Sequence, residues 1–122
     1  MVVAEQGQEE KSFRRIALVV EYDGTAYAGS QYQKNAPTIQ GELEKALNKV
    51  TGERTRVALA GRTDAGVHAK GQVASFRTQA PHEAEVFVRA LNARLPQDIA
   101  VRSAREVPLG FQVRRQAKRR WY

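Results

Sequence analysis

Apolar and polar positions switch between two periods along this chain, and the switches divide it into six elements. Arg15 to Glu21 is a short apolar run rich in β-branched residues, which predicts a buried strand. It ends at Tyr22-Asp23-Gly24-Thr25, where Asp-Gly marks a turn, and a long polar loop follows to Pro37. Loops of that length without structure of their own are often functional. At Thr38 the period becomes helical: Ile39, Leu43, Ala46, Leu47 and Val50 share one face, with Thr38 as the predicted N-cap and Gly52 as the stop. Arg56 to Ala60 predicts a second strand. Gly71 to Arg77 alternates, with Val73 and Ser75 on one face and Ala74 and Phe76 on the other, and predicts a third. Pro81 is expected to open a second helix, with Phe87, Ala90, Leu91 and Leu95 on one face and Pro96 at its end. Ile99 to Val107 predicts a fourth strand.

The order β-α-β-β-α-β is that of the ferredoxin-like α+β fold, an antiparallel sheet with two helices on one face. Residues from Phe111 onward read as the start of a further C-terminal strand. The polar, mixed-charge stretch Met1 to Ser12 is expected to be a disordered tail and lacks the pattern of a signal peptide, which leaves residues 13–122 as the folded domain. A chain of 122 residues suits one compact domain with one core. No apolar run approaches the roughly 18–20 residues needed to cross a bilayer.

The charge changes the picture. The net charge is +7, and Phe111 to Tyr122 holds Arg114, Arg115, Lys118, Arg119 and Arg120 with no acid, so five of the seven charges lie in that stretch. With Trp121 and Tyr122 beside them, these cations suit an anionic polymer, cations for phosphates and rings for bases. A solvated chain terminus has the same composition. The absence of cysteine excludes a disulfide framework and a thiolate metal site, and agrees with a cytoplasmic protein.

Gly61-Arg62-Thr63-Asp64-Ala65-Gly66-Val67-His68-Ala69 carries the candidate chemistry. The pattern places one carboxylate, Asp64, on a tight turn at a strand end, between two glycines and two residues from an arginine. A carboxylate beside a fixed positive charge is kept ionised and can serve as nucleophile or base. The plainer reading is a glycine-rich connection in which Asp64 makes a local turn bond. His68 reads as structural rather than as a metal ligand, since His82 is the only other histidine and no carboxylates cluster at ligand spacing. No Walker-type loop or Gly-x-Gly-x-x-Gly is present, and Ser12, Ser30, Ser75 and Ser103 lack an adjacent histidine pattern. Of Tyr22, Tyr27 and Tyr32, one ring is expected in the core and at least one near the site.

Four segments together resemble the TruA-type family of tRNA pseudouridine synthases. Tyr22 to Gln31 is similar to its opening motif, Thr38 to Leu47 to its first helix, Gly61 to Ala69 to its active-site motif, and Leu91 to Val101 to the segment that follows. The resemblance runs from Arg14 to Tyr122. Ser30 stands where the family has tryptophan, and Phe111-Gln112-Val113-Arg114 where it favours Phe-His-Ala-Arg. Members are longer, with a second, similar half that completes the active-site cleft, so the chain reads as the N-terminal half, truncated at its C-terminus.

The resemblance implies isomerisation of uridine to pseudouridine at positions 38, 39 and 40 of the tRNA anticodon arm, by a homodimer. Asp64 would be the catalytic residue, by attack at the sugar's C1′ or by removal of a sugar proton to give a glycal. Arg62 would fill the space left by the flipped base and bond to Asp64. Tyr122 would stack on that base, and Arg114, Arg115, Lys118, Arg119 and Arg120 would hold phosphates. Nothing in it calls for a metal or other cofactor. The alternative is a non-catalytic RNA-binding fragment that lacks the other half of the cleft.

Overall fold

The computed structural model describes residues 13–113. The expected N-terminal tail, residues Arg114, Arg115, Lys118, Arg119 and Arg120, and Tyr122 lie outside the described residues. The elements are strand β1 (Arg14–Tyr22), a 3-10 turn (Gly24–Ala26), helix α1 (Ile39–Thr51), strand β2 (Ala58–Leu59), strand β3 (Ala69–Thr78), helix α2 (Ala84–Asn92) and strand β4 (Ile99–Val107). The sheet order is β2-β3-β1-β4, antiparallel throughout. This is the ferredoxin-like arrangement expected from the sequence.

Alternation along β1 decides which face is covered. Ile16, Leu18, Val20 and Tyr22 point into one core with Ile39, Leu43 and Leu47 of α1 and Phe87 and Leu91 of α2. Both helices therefore cover the same face. Phe76 of β3 and Phe87 of α2 meet edge to face, ring centres 5.3 Å apart. Both are fully buried, and truncating either to alanine would cost about 3–5 kcal/mol. The other face of β1 carries Arg15, Ala17, Val19 and Glu21, half-buried, with no helix over it among the described residues. No helix there is long and apolar enough to cross a membrane.

The helix signals act as expected at α1. The Thr38 side chain accepts from the Gly41 N–H, and Gly52 ends the helix in the left-handed conformation, φ 75°. At α2 they mislead. The helix begins at Ala84, three residues beyond Pro81, because Arg14 Nη1 donates to the Ala80 and His82 carbonyls at 2.8 and 2.6 Å and holds that segment extended. It ends at Asn92, before Pro96. The Asn92 amide ties this end to β4, donating to the Val101 carbonyl and accepting its N–H.

Three other expectations need correction. The second strand pairs only at Ala58 and Leu59, not over Arg56 to Ala60. Ala58 faces Ser75, so two further residues of the same register would set Arg56 opposite Arg77. Like charges directly opposite destabilise a ladder. Val57 turns its N–H to Glu44 Oε2 and its carbonyl to Gln40 Nε2 instead. The further strand expected from Phe111 is not formed over Phe111 and Gln112. There the Phe111 N–H bonds back to the Pro108 carbonyl at 2.9 Å and turns the chain out of the sheet. Finally, Tyr22 and Tyr27 are both core rings, and Tyr32 is exposed.

Candidate active site

The loop between β2 and β3 is held along its backbone before any side chain is considered. Gly61 pairs with the Gln72 side chain, its N–H donating to Oε1 at 3.1 Å and its carbonyl accepting from Nε2 at 2.9 Å. The buried amide of Gln72 thus takes the place of a strand partner. Gln72 Nε2 also lies 3.3 Å from the Tyr22 hydroxyl, which is 2.9 Å from Thr63 Oγ1. The Thr63 carbonyl accepts from the Ser30 N–H at 3.0 Å, and the Thr63 N–H donates to Ser30 Oγ at 2.8 Å. Ser30 is fully buried, so its hydroxyl is committed to this contact.

Asp64 opens the turn that follows. The Val67 N–H donates to the Asp64 carbonyl at 3.1 Å, and Gly66, at φ 81°, supplies the positive φ that such a turn needs at its third position. The Gly66 N–H reaches the Tyr27 carbonyl at 3.3 Å. Tyr27 is fixed in turn by Asp98, whose Oδ1 accepts from its hydroxyl at 2.6 Å. Burial, and then this bond, push the Tyr27 phenol well above its usual range. His68 closes the loop: its Nδ1 accepts from the Gly24 N–H at 2.9 Å and lies 3.1 Å from Asp23 Oδ1. It is a structural tie, as its spacing suggested. The Thr25 hydroxyl, then the Thr25 N–H, hold the Asp23 carboxyl below the usual carboxylate range, and nearby His68 acts in the same direction.

The result is a rigid backbone bearing a free acid. The Asp64 side chain is exposed, with no hydrogen bond or ion pair among the described residues. Arg62 is exposed as well and lines a small cleft of about 270 Å3 with Ser30, Gln40, Val57 and Leu59. No ion pair joins Arg62 to Asp64 in this structure, contrary to the expected bond. Between exposed groups such a pair is worth about 0–1 kcal/mol, too little to fix a long arginine. Arg62 and Asp64 thus share one loop, both exposed and both without a hydrogen bond or ion pair among the described residues.

Sequence reasoning missed the support around this loop. Gln72 carried a signal, since it sits in phase with Ala74 and Phe76 on the buried side of β3. A polar residue at an apolar position needs a partner. Ser30 and the Tyr22–Thr63 bond gave no such signal, because their partners lie 33 and 41 residues away.

Residues 18–114 match the family model described as tRNA pseudouridine synthase. The chain is 53% identical over 109 residues to the tRNA pseudouridine synthase A of Roseiflexus castenholzii (strain DSM 13941 / HLO8), a match that covers 89% of the chain and 40% of the relative. It is 52% identical to that of Thermoanaerobacter sp. (strain X514), covering 89% and 45%, and 50% identical to that of Chloroflexus aurantiacus (strain ATCC 29366 / DSM 635 / J-10-fl), covering 89% and 39%. The match thus takes in less than half the length of each of these relatives.

Proposed function

The chain belongs to the tRNA pseudouridine synthase family, and from that premise we propose that its Asp64 loop is the catalytic element of an enzyme that isomerises uridine to pseudouridine at positions 38–40 of the tRNA anticodon stem-loop. One observation carries the reading. The loop's backbone is tied at Gly61, Thr63, Gly66 and Val67, yet its single carboxylate is exposed and has no partner among the described residues. A group held this way reaches a reacting atom without reorganisation at the moment of reaction.

A paired uridine must leave its stack to reach Asp64, at a cost of a few kcal/mol. Arg62, without a hydrogen bond or ion pair among the described residues, fills the vacated space or holds a flanking phosphate. Two routes then lead to pseudouridine. In one, a carboxylate oxygen bonds to C1′ while the C1′–N1 bond breaks and its electron pair leaves with the base. In the other, Asp64 takes a sugar proton as the base departs, leaving a glycal. In both, the base then rotates. In the first route C5 bonds to C1′ as the carboxylate oxygen–C1′ bond breaks and returns its electron pair to Asp64. In the second, C5 bonds to C1′ of the glycal as Asp64 returns the proton to C2′. The C5 proton is then lost and N1 gains one. Atoms balance with no oxidant and no water consumed. Tyr122, outside the described residues, would lie over the base and relay the C5 proton, and the basic residues from Arg114 to Arg120 would hold phosphates. On the same reading the enzyme is a cytoplasmic homodimer.

The test is tritium release from uridine-labelled tRNA by this chain joined to the remainder of a curated relative. Release that disappears in Asp64→Asn, with tRNA binding retained, supports the reading. Binding without any release by the unsubstituted protein would favour an RNA-binding module without chemistry.

A further inference from the structure

A groove of about 590 Å3 runs from Ala58, beside the strand end that leads into the Asp64 loop, to Arg77 near the far end of β3. Four guanidinium groups line it: Arg15, Arg54, Arg56 and Arg77. They converge because the ladder between β2 and β3 stops at Ala58. In the unpaired segment before it, Arg54 and Arg56 are exposed while Thr55 and Val57 are buried, so both arginines project to the same side.

The state of these charges separates the groove from an internal ion-pair network. Arg54 and Arg56 make no hydrogen bond or ion pair among the described residues. Arg77 lies over the Phe13 ring, 4.5 Å from its centre, and is exposed. Arg15 is fixed by bonds to the Leu109 carbonyl and Ser75 Oγ, which leaves its charge uncompensated. Glu53 is the one acid lining the groove, and both its oxygens are taken, by Thr78 Oγ1 at 2.5 Å and the Gln79 N–H at 2.9 Å.

We propose that this groove binds the phosphodiester backbone of the substrate RNA at a point remote from the target nucleotide. The proposal rests on the tRNA-modifying reading above. Guanidinium forks match phosphate oxygens in pairs, and an open groove with several of them holds a chain of phosphates rather than a single ion. The groove's one aromatic ring, Phe13, already has Arg77 over one face, so the groove offers phosphates more than it offers bases. Distance separates its task from the chemistry. Arg77 lies eight residues along β3 from Ala69, where the Asp64 loop joins the sheet, a span of about 26 Å at ~3.3 Å per residue. Phosphates so far from an extruded uridine belong to a flanking stem, whose fixed geometry makes the groove a ruler for placing the target.

The test compares Arg54→Gln/Arg56→Gln with the unsubstituted full chain by fluorescence anisotropy, using a folded tRNA transcript over a series of salt concentrations. The double variant binds about tenfold more weakly, and its log–log salt slope falls by about 1 to 2. The charge reversal Arg54→Glu/Arg56→Glu weakens binding further, while thermal melts stay unchanged because both side chains are exposed. Affinity and slope unchanged in both variants, or no RNA binding by the unsubstituted chain, overturn the proposal. Asp64→Asn binds in this assay as the unsubstituted chain does. Catalytic competence of Asp64→Asn would remove the active-site reading and leave the groove's result standing.

Discussion

Gly24 and Val67 meet backbone to backbone, so closely that a Cβ on residue 24 would stand 1.9 Å from the Val67 carbonyl oxygen. On the other flank of the same loop, Gly29, at φ 103°, would place a Cβ 2.9 Å from the Thr63 carbonyl oxygen. Asp64 lies between these contacts. The opening segment after β1 is therefore a cradle for the loop that carries the acid, and its two glycines are needed where the backbones touch.

Gly24→Ala should displace that loop. The clash is with backbone, which cannot rotate away, so we expect a loss of at least about 2 kcal/mol. Denaturant unfolding measures it. Pseudouridine formation should fall with it, because the loop no longer seats on the Tyr22–Gln31 segment.

Gln72→Ala removes both bonds to Gly61 and leaves its backbone without a partner on that side. A destabilisation of about 1–3 kcal/mol is expected. The more telling readout is kinetic. If Gln72 positions Asp64, kcat should drop while KM for tRNA holds. A rise in KM alone would mean that Gln72 supports the RNA surface instead.

The fold was largely legible because its signals are local. Thr38 caps and Gly52 stops α1 within a few residues, and alternation in β1 and β3 names the buried faces directly. The misreadings arose where a distant group overrode a local signal. Pro81 marks a helix start by composition, yet Arg14, 66 and 68 residues from its acceptors at Ala80 and His82, holds the chain extended there. Arg56 looks like strand, but its register partner across the sheet would be Arg77. At the candidate site, spacing and resemblance singled out the loop that carries Asp64 and Arg62. The bonds from Ser30, Tyr22 and Gln72 that fix their loop join residues far apart in the chain, which no local pattern reveals.

Tyr27→Phe deletes the donor to Asp98 and should cost about 1–2 kcal/mol. Its effect has a pH signature. The phenol's titration is raised in the folded chain, so its contribution is fully present below the unfolded value near 10 and is lost as pH rises through the folded value. The unsubstituted protein should lose stability on that alkaline side, and Tyr27→Phe should lose less. Urea midpoints across the range give the comparison.

At the acid end the marker is Asp23. Its carboxyl is held below the ordinary range chiefly by the Thr25 hydroxyl, so its contribution persists at neutral pH and is lost as pH falls through the depressed value. Thr25→Val removes that hydroxyl, and the Asp23 titration should move up toward the ordinary carboxylate value. An NMR titration of the carboxyl resonance would detect it; an unmoved midpoint would show that the hydroxyl is not the main cause.

The central claim is that the exposed carboxylate of Asp64 performs the chemistry. Its most direct measurement is pseudouridine formation at saturating tRNA by Asp64→Asn, a substitution that keeps the side chain's shape and removes its charge. The prediction is loss of product to background, with tRNA affinity within about twofold of the unsubstituted protein. Product formed by Asp64→Asn at a substantial fraction of the original rate would contradict the account.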